Sequence, residues 1–323
     1  MQYRLLGRTG LKVSQLCFGT MSFGGDADEE TSAAMFARCR EAGINFFDCA
    51  DIYSRGRAEE ILGRLVADCR DEIVLTSKVF NPLTDEVNAR SLSRRHVMLA
   101  VEDSLRRLKT DRLDLYFCHM FDADTPIDET LRAMDDLVRQ GKVLHPAVSN
   151  WAAWQIAKAL GISAGQSLAR FECIQPMYNL VKRQAEVEIL PLAADERIGV
   201  IPYSPLGGGL LTGKYGVGRK PEAGRIVDNA MYAKRYGENV YYESADRFVE
   251  HANRRGVHPA TLAVAWVAAH PAVTAPIIGA RNVEQLEPSL AAAELHMTPE
   301  WRAEISALSP APPIATDRRE EQV

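Results

Sequence analysis

Residues 46–63 read FFDCADIYSRGRAEEILG. The apolar start belongs to an expected strand, Asn45–Cys49, and a helix is expected over Ala58–Asp68. The short loop between them carries Asp51 and Tyr53. A strand passing straight into a helix is the repeating unit of a parallel sheet. Working outward, further strands are expected at Gln15–Phe18, Ile73–Lys78, Leu113–His119, Val143–Ser149, Cys173–Gln175, Val200–Tyr203 and Ala275–Ile278. Helices are expected at Glu29–Ala42, Arg94–Leu108, Ile127–Gln140, Ala152–Leu160, Val187–Asp195, Ala245–Arg255 with Thr261–Ala269, and Val283–Ala293. In Arg94–Leu108, Val97, Val101, Leu105 and Leu108 recur at helical spacing and share one apolar face.

This alternation predicts right-handed βαβ crossovers, and a set of eight closes into a barrel. The fold class is therefore α/β: a (β/α)8 TIM barrel with an N-terminal β-hairpin and a long loop after its seventh strand. A doubly wound open sheet would announce itself by GxGxxG after the first strand, whereas residues 18–25 read FGTMSFGG. Residues 207–240 are rich in glycine and polar residues, hold no clear strand, and are expected to form a functional flap. Residues 1–308 read as the barrel and residues 309–323, SPAPPIATDRREEQV, as a disordered tail.

Composition narrows the function class. A net charge of −5 argues against a nucleic-acid or anionic-membrane surface. Six cysteines lie scattered without a CxxC pair, the usage of a reduced protein. The opening MQYRLLGRTGLKVSQ lacks the roughly 7–15-residue apolar core of a leader peptide, and no run approaches the roughly 18 apolar residues of a membrane span. A cytoplasmic protein is expected.

Four side chains stand at expected strand ends: Asp48, Lys78 and His119, with Tyr53 five residues past Asp48. Taken singly, each has an ordinary reading as a loop residue, a solvated strand end or a satisfied core histidine. Together, on the face where barrel chemistry sits, they form a proton-delivery set. Carbonyl reduction needs a proton at oxygen. A tyrosine hydroxyl ionises at about 10, and a nearby ammonium is expected to lower that value. A carboxylate holds the ammonium charged, and an imidazole can donate to the carbonyl oxygen. Cys118 beside His119 points to the opposite side of its strand and reads as a buried thiol.

From Tyr3 to Leu290 the chain resembles the aldo-keto reductases. FDCADIY resembles the family's Asp-x-Ala-x-x-Tyr segment, so the resemblance makes Asp48, not Asp51, the catalytic aspartate that accompanies Tyr53. TSKV carries Lys78, and LDLYFCHMFD carries His119. The resemblance further implies NADP(H), bound across the barrel mouth. It places Ser149, Asn150 and Gln175 at the nicotinamide carboxamide and stacks Tyr203 on the ring. In YSPLGGGLLTGKY it places Ser204, Leu206, Gly208, Leu210 and Lys214 at the pyrophosphate. Gly19, Thr20 and Gly279 join the cofactor set, and in PIIGARNVEQLEPSL Arg281 pairs with the 2′-phosphate, one helical turn before Gln285.

Three departures stand out. Pro146 lies inside an expected central strand, where a local irregularity is expected. Cys49 replaces the usual Thr or Ser, and Pro288-Ser289 replaces the Glu-Asn pair at adenine. Phe23, Phe80, Met120, Phe121 and Tyr232 are candidate walls of a partly apolar pocket for an aldehyde, ketone or open-chain sugar, and Arg55 and Arg57 read as solvated loop charges. No metal constellation is seen. Two other classes compete: a cofactor-binding module like the channel β-subunits, which share the fold and cofactor site and retain much of the catalytic set, and a non-redox barrel hydrolase or isomerase, which would need a metal constellation or paired carboxylates at strand ends.

Overall fold

The computed structural model describes residues 1–316. An antiparallel hairpin, β1 (Tyr3–Leu5) and β2 (Lys12–Ser14), opens the chain. The barrel strands follow: β3 (Cys17–Gly19), β4 (Phe46–Asp48), β5 (Val74–Val79), β6 (Leu113–Cys118), β7 (Val143–Ser149), β8 (Cys173–Gln175), β9 (Gly199–Val200) and β10 (Ile277–Ile278). All neighbours pair in parallel, in the order β10-β3-β4-β5-β6-β7-β8-β9. The ends of this sheet meet. Thr274 N–H donates to Val200 O at 2.9 Å and Ile277 N–H to Pro202 O at 2.9 Å, which closes the barrel.

The helices are α1 (Glu29–Glu41), α2 (Arg57–Leu65), α3 (Arg94–Leu108), α4 (Ile127–Arg139), α5 (Ala153–Gln166), α6 (Ile189–Asp195), α7 (Arg225–Asp228), α8 (Ala230–Arg235), α9 (Asn239–Arg254), α10 (Pro259–Ala268), α11 (Val283–Leu290) and α12 (Pro299–Ser306). Helix α5 runs six residues beyond its expected end, through Gly161 and Gly165, whose α-positions face open space. The segment 207–240 is not a bare loop. A 3₁₀ turn over Gly207–Thr212 and the short helices α7 and α8 lie within it. Of the expected tail, 309–316 carry no helix or strand, and 317–323 lie outside the described residues.

The strand period of two separates two cores. Cys17, Phe46, Val74, Leu115, Phe117, Ala147, Cys173, Ile201 and Ile277 fill the barrel, stoppered below by Leu6 and Val13 of the hairpin. Their neighbours Phe18, Phe47, Leu75, Tyr116, Cys118, Val148, Ile174, Val200 and Ile278 pack outward against the helices. Pro146 causes no break, contrary to the expected irregularity: β6 and β7 pair continuously from Leu115–His145 to Cys118–Val148. Its carbonyl accepts from Glu172 N–H, so its nitrogen also faces the β8 side, below the start of β8 at Cys173. The missing donor therefore falls where no ladder exists to lose it.

Gly63, the last residue of the opening stretch, lets α2 touch α3 at backbone distance. A Cβ there would lie 2.5 Å from Leu108 O. Gly63→Ala should therefore lower stability by about 1–3 kcal/mol despite alanine's better helix propensity. Denaturant unfolding checks this, and an unchanged or raised midpoint would show that the helices separate freely.

Candidate active site

The alternation that fills the barrel also builds the site. Two residues beyond the interior side chains Cys17, Phe46, Phe117, Ala147, Cys173, Ile201 and Ile277 come Gly19, Asp48, His119, Ser149, Gln175, Tyr203 and Gly279. On β5, Lys78 follows the interior Thr76 in the same way. These residues form the top layer of the interior, at the C-terminal ends of the strands.

At its centre the fully buried Lys78 Nζ donates to Asp48 Oδ2 at 2.6 Å, Cys49 O at 2.7 Å and the Tyr53 hydroxyl at 3.1 Å. An ammonium has three N–H bonds, and all are used. Asp48 Oδ1 accepts from Thr76 Oγ1 at 2.9 Å and from Gln175 Nε2 at 2.8 Å. Burial works against the Lys78 charge, but Asp48 and Tyr53 outweigh it and raise the Lys78 pKa. Tyr53 departs from the sequence expectation. Burial pushes its hydroxyl up to about 12, because Lys78's opposing charge is partly cancelled by Asp48. Tyr53 thus stays protonated at neutral pH. Its oxygen accepts from Lys78, so its own hydrogen is free to point elsewhere.

The His119 ring stands edge-on to Tyr53, centroids 6.1 Å apart at 82°. Burial, then Lys78, lowers its pKa to about 3, so the ring is neutral at pH 7. Asn81 Nδ2 lies 3.4 Å from His119 Nδ1. With an amide donor there, the ring proton sits on Nε2. Asp51 is buried and does not border the cavity described below. Burial and the charge of Glu59 push it up to about 8. Glu59 itself is held by Ser77 Oγ at 2.5 Å and Arg107 Nε at 2.6 Å.

The polypeptide after Tyr53 is strained. Ser54 and Arg55 take φ +48° and +54°, and Asn150 and Ser204 also fall in the left-handed region at +60° and +63°. Asn150 Nδ2 donates to His119 O at 2.9 Å, while its Oδ1 accepts from the Tyr203 hydroxyl at 2.7 Å.

A cavity of about 660 Å³ opens above this layer. Gly19, Asp48, Tyr53, His119, Met120, Ser149, Asn150, Gln175, Tyr203, Ser204, Leu206, Gly208, Tyr232, Gly279, Arg281 and Gln285 border it. Other expected site residues do not. Lys78 lies behind Asp48 and Tyr53. Thr20 is buried with its hydroxyl on Asp48 O, Phe23 packs on Phe18 at 5.8 Å, and Leu210 joins the outer core. Phe80 lies under the Arg90 guanidinium, Phe121 stacks edge-on against Trp151 and Trp154, and Lys214 lies against Tyr215. Pro288 and Ser289 are off the cavity too. Pro288 O accepts from Thr261 of α10, and Ser289 is fully buried. Sequence reading missed Asn81, Ile52, Met231, Arg225 and Arg235, all of which border the cavity. Asn81 had a signal, as a polar residue just past the end of β5.

One end of the cavity is cationic. Burial, Arg281 and Arg225 together hold Lys214 below its usual value against the opposing charge of Asp228, so three positive charges and one carboxylate gather there. Arg281 Nε pairs with Asp26 at 3.1 Å, leaving its terminal nitrogens free for an anion. Gly208 and Gly209 bring the chain past this end at φ +67° and +96°, and a Cβ on Gly208 would lie 2.9 Å from Tyr232.

Residues 15–310 match the Aldo/keto reductase family. The chain belongs to the aldo/keto reductase family. It is 38% identical to the uncharacterized oxidoreductase YrpG of Bacillus subtilis (strain 168), across 97% of both chains. It is 36% identical to a probable voltage-gated potassium channel subunit beta of Oryza sativa subsp. japonica, across 98% of this chain and 99% of that one. It is 29% identical to the versiconal hemiacetal acetate reductase of Aspergillus parasiticus, across 93% and 94%. This aldo/keto reductase is thus an oxidoreductase by family, of a kind that uses nicotinamide cofactors. Among its described residues no helix is long and apolar enough to cross a membrane.

The Lys78–Asp48 pair gives a test independent of turnover. Lys78→Met leaves the Asp48 carboxylate buried without its cation, which should destabilise the fold by about 3–5 kcal/mol. Adding Asp48→Leu should recover most of that loss. Chemical denaturation of both variants checks it, and additive losses would show that the pair is not coupled.

Proposed function

We propose that this aldo/keto reductase reduces aldehydes or ketones, open-chain sugars among them, to alcohols, with NADPH as electron donor and Tyr53 as proton donor. The observation that carries this reading is the hydrogen-bond saturation of Lys78 Nζ, whose third bond ends on the Tyr53 oxygen. A substrate carbonyl in the cavity would meet the Tyr53 O–H and the neutral His119 Nε2–H. Tyr53 gives its proton to the developing alkoxide, and the adjacent ammonium stabilises the phenolate left behind. His119 orients the carbonyl oxygen and, being neutral, does not compete as an acid.

The residues fit a dinucleotide with an added phosphate. When bound, the reduced nicotinamide supplies the hydride. Asn150 and the Oε1 of Gln175 offer polar atoms at the reactive end, and Tyr203 offers a ring face. At the other end Arg281, Arg225 and Lys214 form the cationic cluster that phosphates would relieve. Asn282 Oδ1 caps the Gln285 N–H at the start of α11, and Arg281 brings a full positive charge to the same turn.

The likeness to channel subunits favours a second reading, a cofactor-binding module with little turnover. NADPH oxidation with a panel of aldehydes separates the two. Binding without turnover would favour the module.

Tyr53→Phe keeps the ring and removes the proton donor. It should cut kcat for reduction by about 10²–10⁴-fold while leaving NADPH affinity in place. Near-wild-type turnover would mean that another acid serves.

Arg281→Ala removes one charge-assisted phosphate contact, worth about 1.5–3 kcal/mol, or about 10- to 150-fold in affinity. Fluorescence titration should place the loss on NADPH and spare NADH, which has no 2′-phosphate. Equal weakening of both cofactors would make Arg281 structural.

A further inference from the structure

We propose that Thr76 is a positioning residue for the proton-donating step and acts on Tyr53 through Asp48 and Lys78. This inference rests on the carbonyl-reductase reading and adds a residue to its proton chemistry.

Thr76 is a polar residue where the barrel is otherwise apolar. On the other strands the interior residue two positions before the cavity layer is Cys17, Phe46, Phe117, Ala147, Cys173, Ile201 or Ile277. On β5, two positions before Lys78, it is a threonine. A valine has the same branched shape. The threonine hydroxyl is fully buried and donates to Asp48 Oδ1 at 2.9 Å. A buried hydroxyl is costly without a partner, and this one gives its hydrogen to the carboxylate that holds Lys78. The backbone aims the contact. Asp48 and Thr76 are register partners across β4 and β5, and the β-branch restricts rotation of the hydroxyl.

The Asp48 carboxylate divides between two tasks. Oδ2 accepts from Lys78 Nζ at 2.6 Å, whereas Oδ1 accepts from Thr76 and, at 2.8 Å, from Gln175 Nε2. Lys78 in turn is shared between Asp48 and the Tyr53 hydroxyl, 3.1 Å away. Negative charge drawn to Oδ1 by its two donors is charge that Oδ2 does not present to the ammonium. The ammonium then bears more strongly on Tyr53, where it favours the phenolate left by proton transfer. The same two donors hold the plane of the carboxylate, so Oδ2 stays on Lys78 and the remaining ammonium N–H stays on Tyr53. Other titratable groups around Tyr53 do not take this part. Burial keeps Cys49 a thiol and His119 neutral. That leaves Lys78, whose charge favours the phenolate, and Asp48, whose charge opposes it. Thr76 does not border the cavity, so its effect on the reaction passes through that pair.

Thr76→Val keeps the shape and removes the hydroxyl, and Thr76→Ser keeps the hydroxyl. Gln175 still donates to Oδ1 in both. Thr76→Cys, whose thiol is a weak donor, replaces Thr76→Val should that variant not fold. The first measurement is the pH profile of the reverse reaction, alcohol oxidation by NADP⁺, in which Tyr53 must first give up its proton. In Thr76→Val the rising limb should move to higher pH by up to about one pH unit, with up to about a tenfold loss of kcat/KM below it. Thr76→Ser should restore the wild-type profile. A limb that stays in place while the rate falls at every pH overturns the proposal, because loosened packing alone would do that. So does a Thr76→Ser profile that matches Thr76→Val. The second measurement needs no turnover. With tyrosine ¹³C-labelled at Cζ, and Tyr53→Phe to assign the resonance, the Tyr53 signal at neutral pH should shift in Thr76→Val and return in Thr76→Ser. If the wild-type protein turns over no alcohol or carbonyl, yet the Tyr53 signal behaves in this way, the reductase reading fails and the link from Thr76 to Tyr53 stands. An unmoved signal in Thr76→Val overturns that link.

Discussion

An ammonium group without solvent exposure sits near the top of the barrel, and its neighbours are arranged to make that burial tolerable. A buried charge is costly unless it is paired and its donors are satisfied. Lys78 meets both conditions through a carboxylate, a backbone carbonyl and a phenol. Asp48 in turn spends its second oxygen on Thr76 and on Gln175. One charge therefore ties β4 to β5 and reaches across the barrel to β8. The same contacts fix the Tyr53 oxygen, because Lys78 has one donor left after its other two bonds and the hydroxyl receives it. Stability and positioning come from the same atoms.

The backbone around the cavity carries the strain that this positioning requires. Among the described residues, four of the eight non-glycine residues with positive φ, namely Ser54, Arg55, Asn150 and Ser204, flank the site. Each costs on the order of 1–2 kcal/mol. Side-chain bonds reach all four: Ser54 Oγ donates to Phe23 O at 2.7 Å, Arg55 Nη2 to Leu83 O at 3.4 Å, Asn150 bonds both His119 O and Tyr203, and Ser204 Oγ lies 3.3 Å from the Tyr236 hydroxyl. Strained residues kept in place by such bonds reduce the reorganisation needed when a ligand arrives. Phe23, expected to face a substrate, is instead part of this support. Its carbonyl anchors the turn after Tyr53, and its ring packs into the core.

What could be read from the sequence follows the strand period. Asp48, Lys78, His119, Ser149 and Gln175 each occupy the inward-facing register near a strand end, so their convergence follows from the barrel fold alone. The residues that escaped prediction lie outside the strands, in loops or in short helices, where the strand period does not apply. Phe80 and Phe121 are large and apolar and follow strand ends, like true wall residues, yet Arg90 and Trp151 draw them off the cavity. Asp26 pairs with Arg281 across 255 positions of sequence, and no local pattern encodes that contact. Arg225 and Arg235 come from helices in a stretch whose glycine content argued for a loop. Even the direction of the Tyr53 shift was not accessible. The sequence supplies the opposing charges, but only the fold shows how deeply the hydroxyl is buried.

The family likeness reaches both reductases and channel subunits, so kinship alone does not distinguish catalysis from cofactor sensing. The chemistry of the site separates them better. Cofactor recognition draws on the ring of Tyr203, the amides of Asn150 and Gln175, and the cations at the far end. None of these needs a phenol hydrogen-bonded to a buried ammonium. A module that only reported the redox state of its cofactor would keep the structural tie from Lys78 to Asp48 and Cys49 but would have no use for a transferable proton on Tyr53. Nor would it need a neutral imidazole whose Nδ1 faces the Asn81 amide. The arrangement makes physical sense where a proton must be delivered to an oxygen in the cavity, because only that step uses the Tyr53 hydrogen, the ammonium behind it and the His119 Nε2–H together.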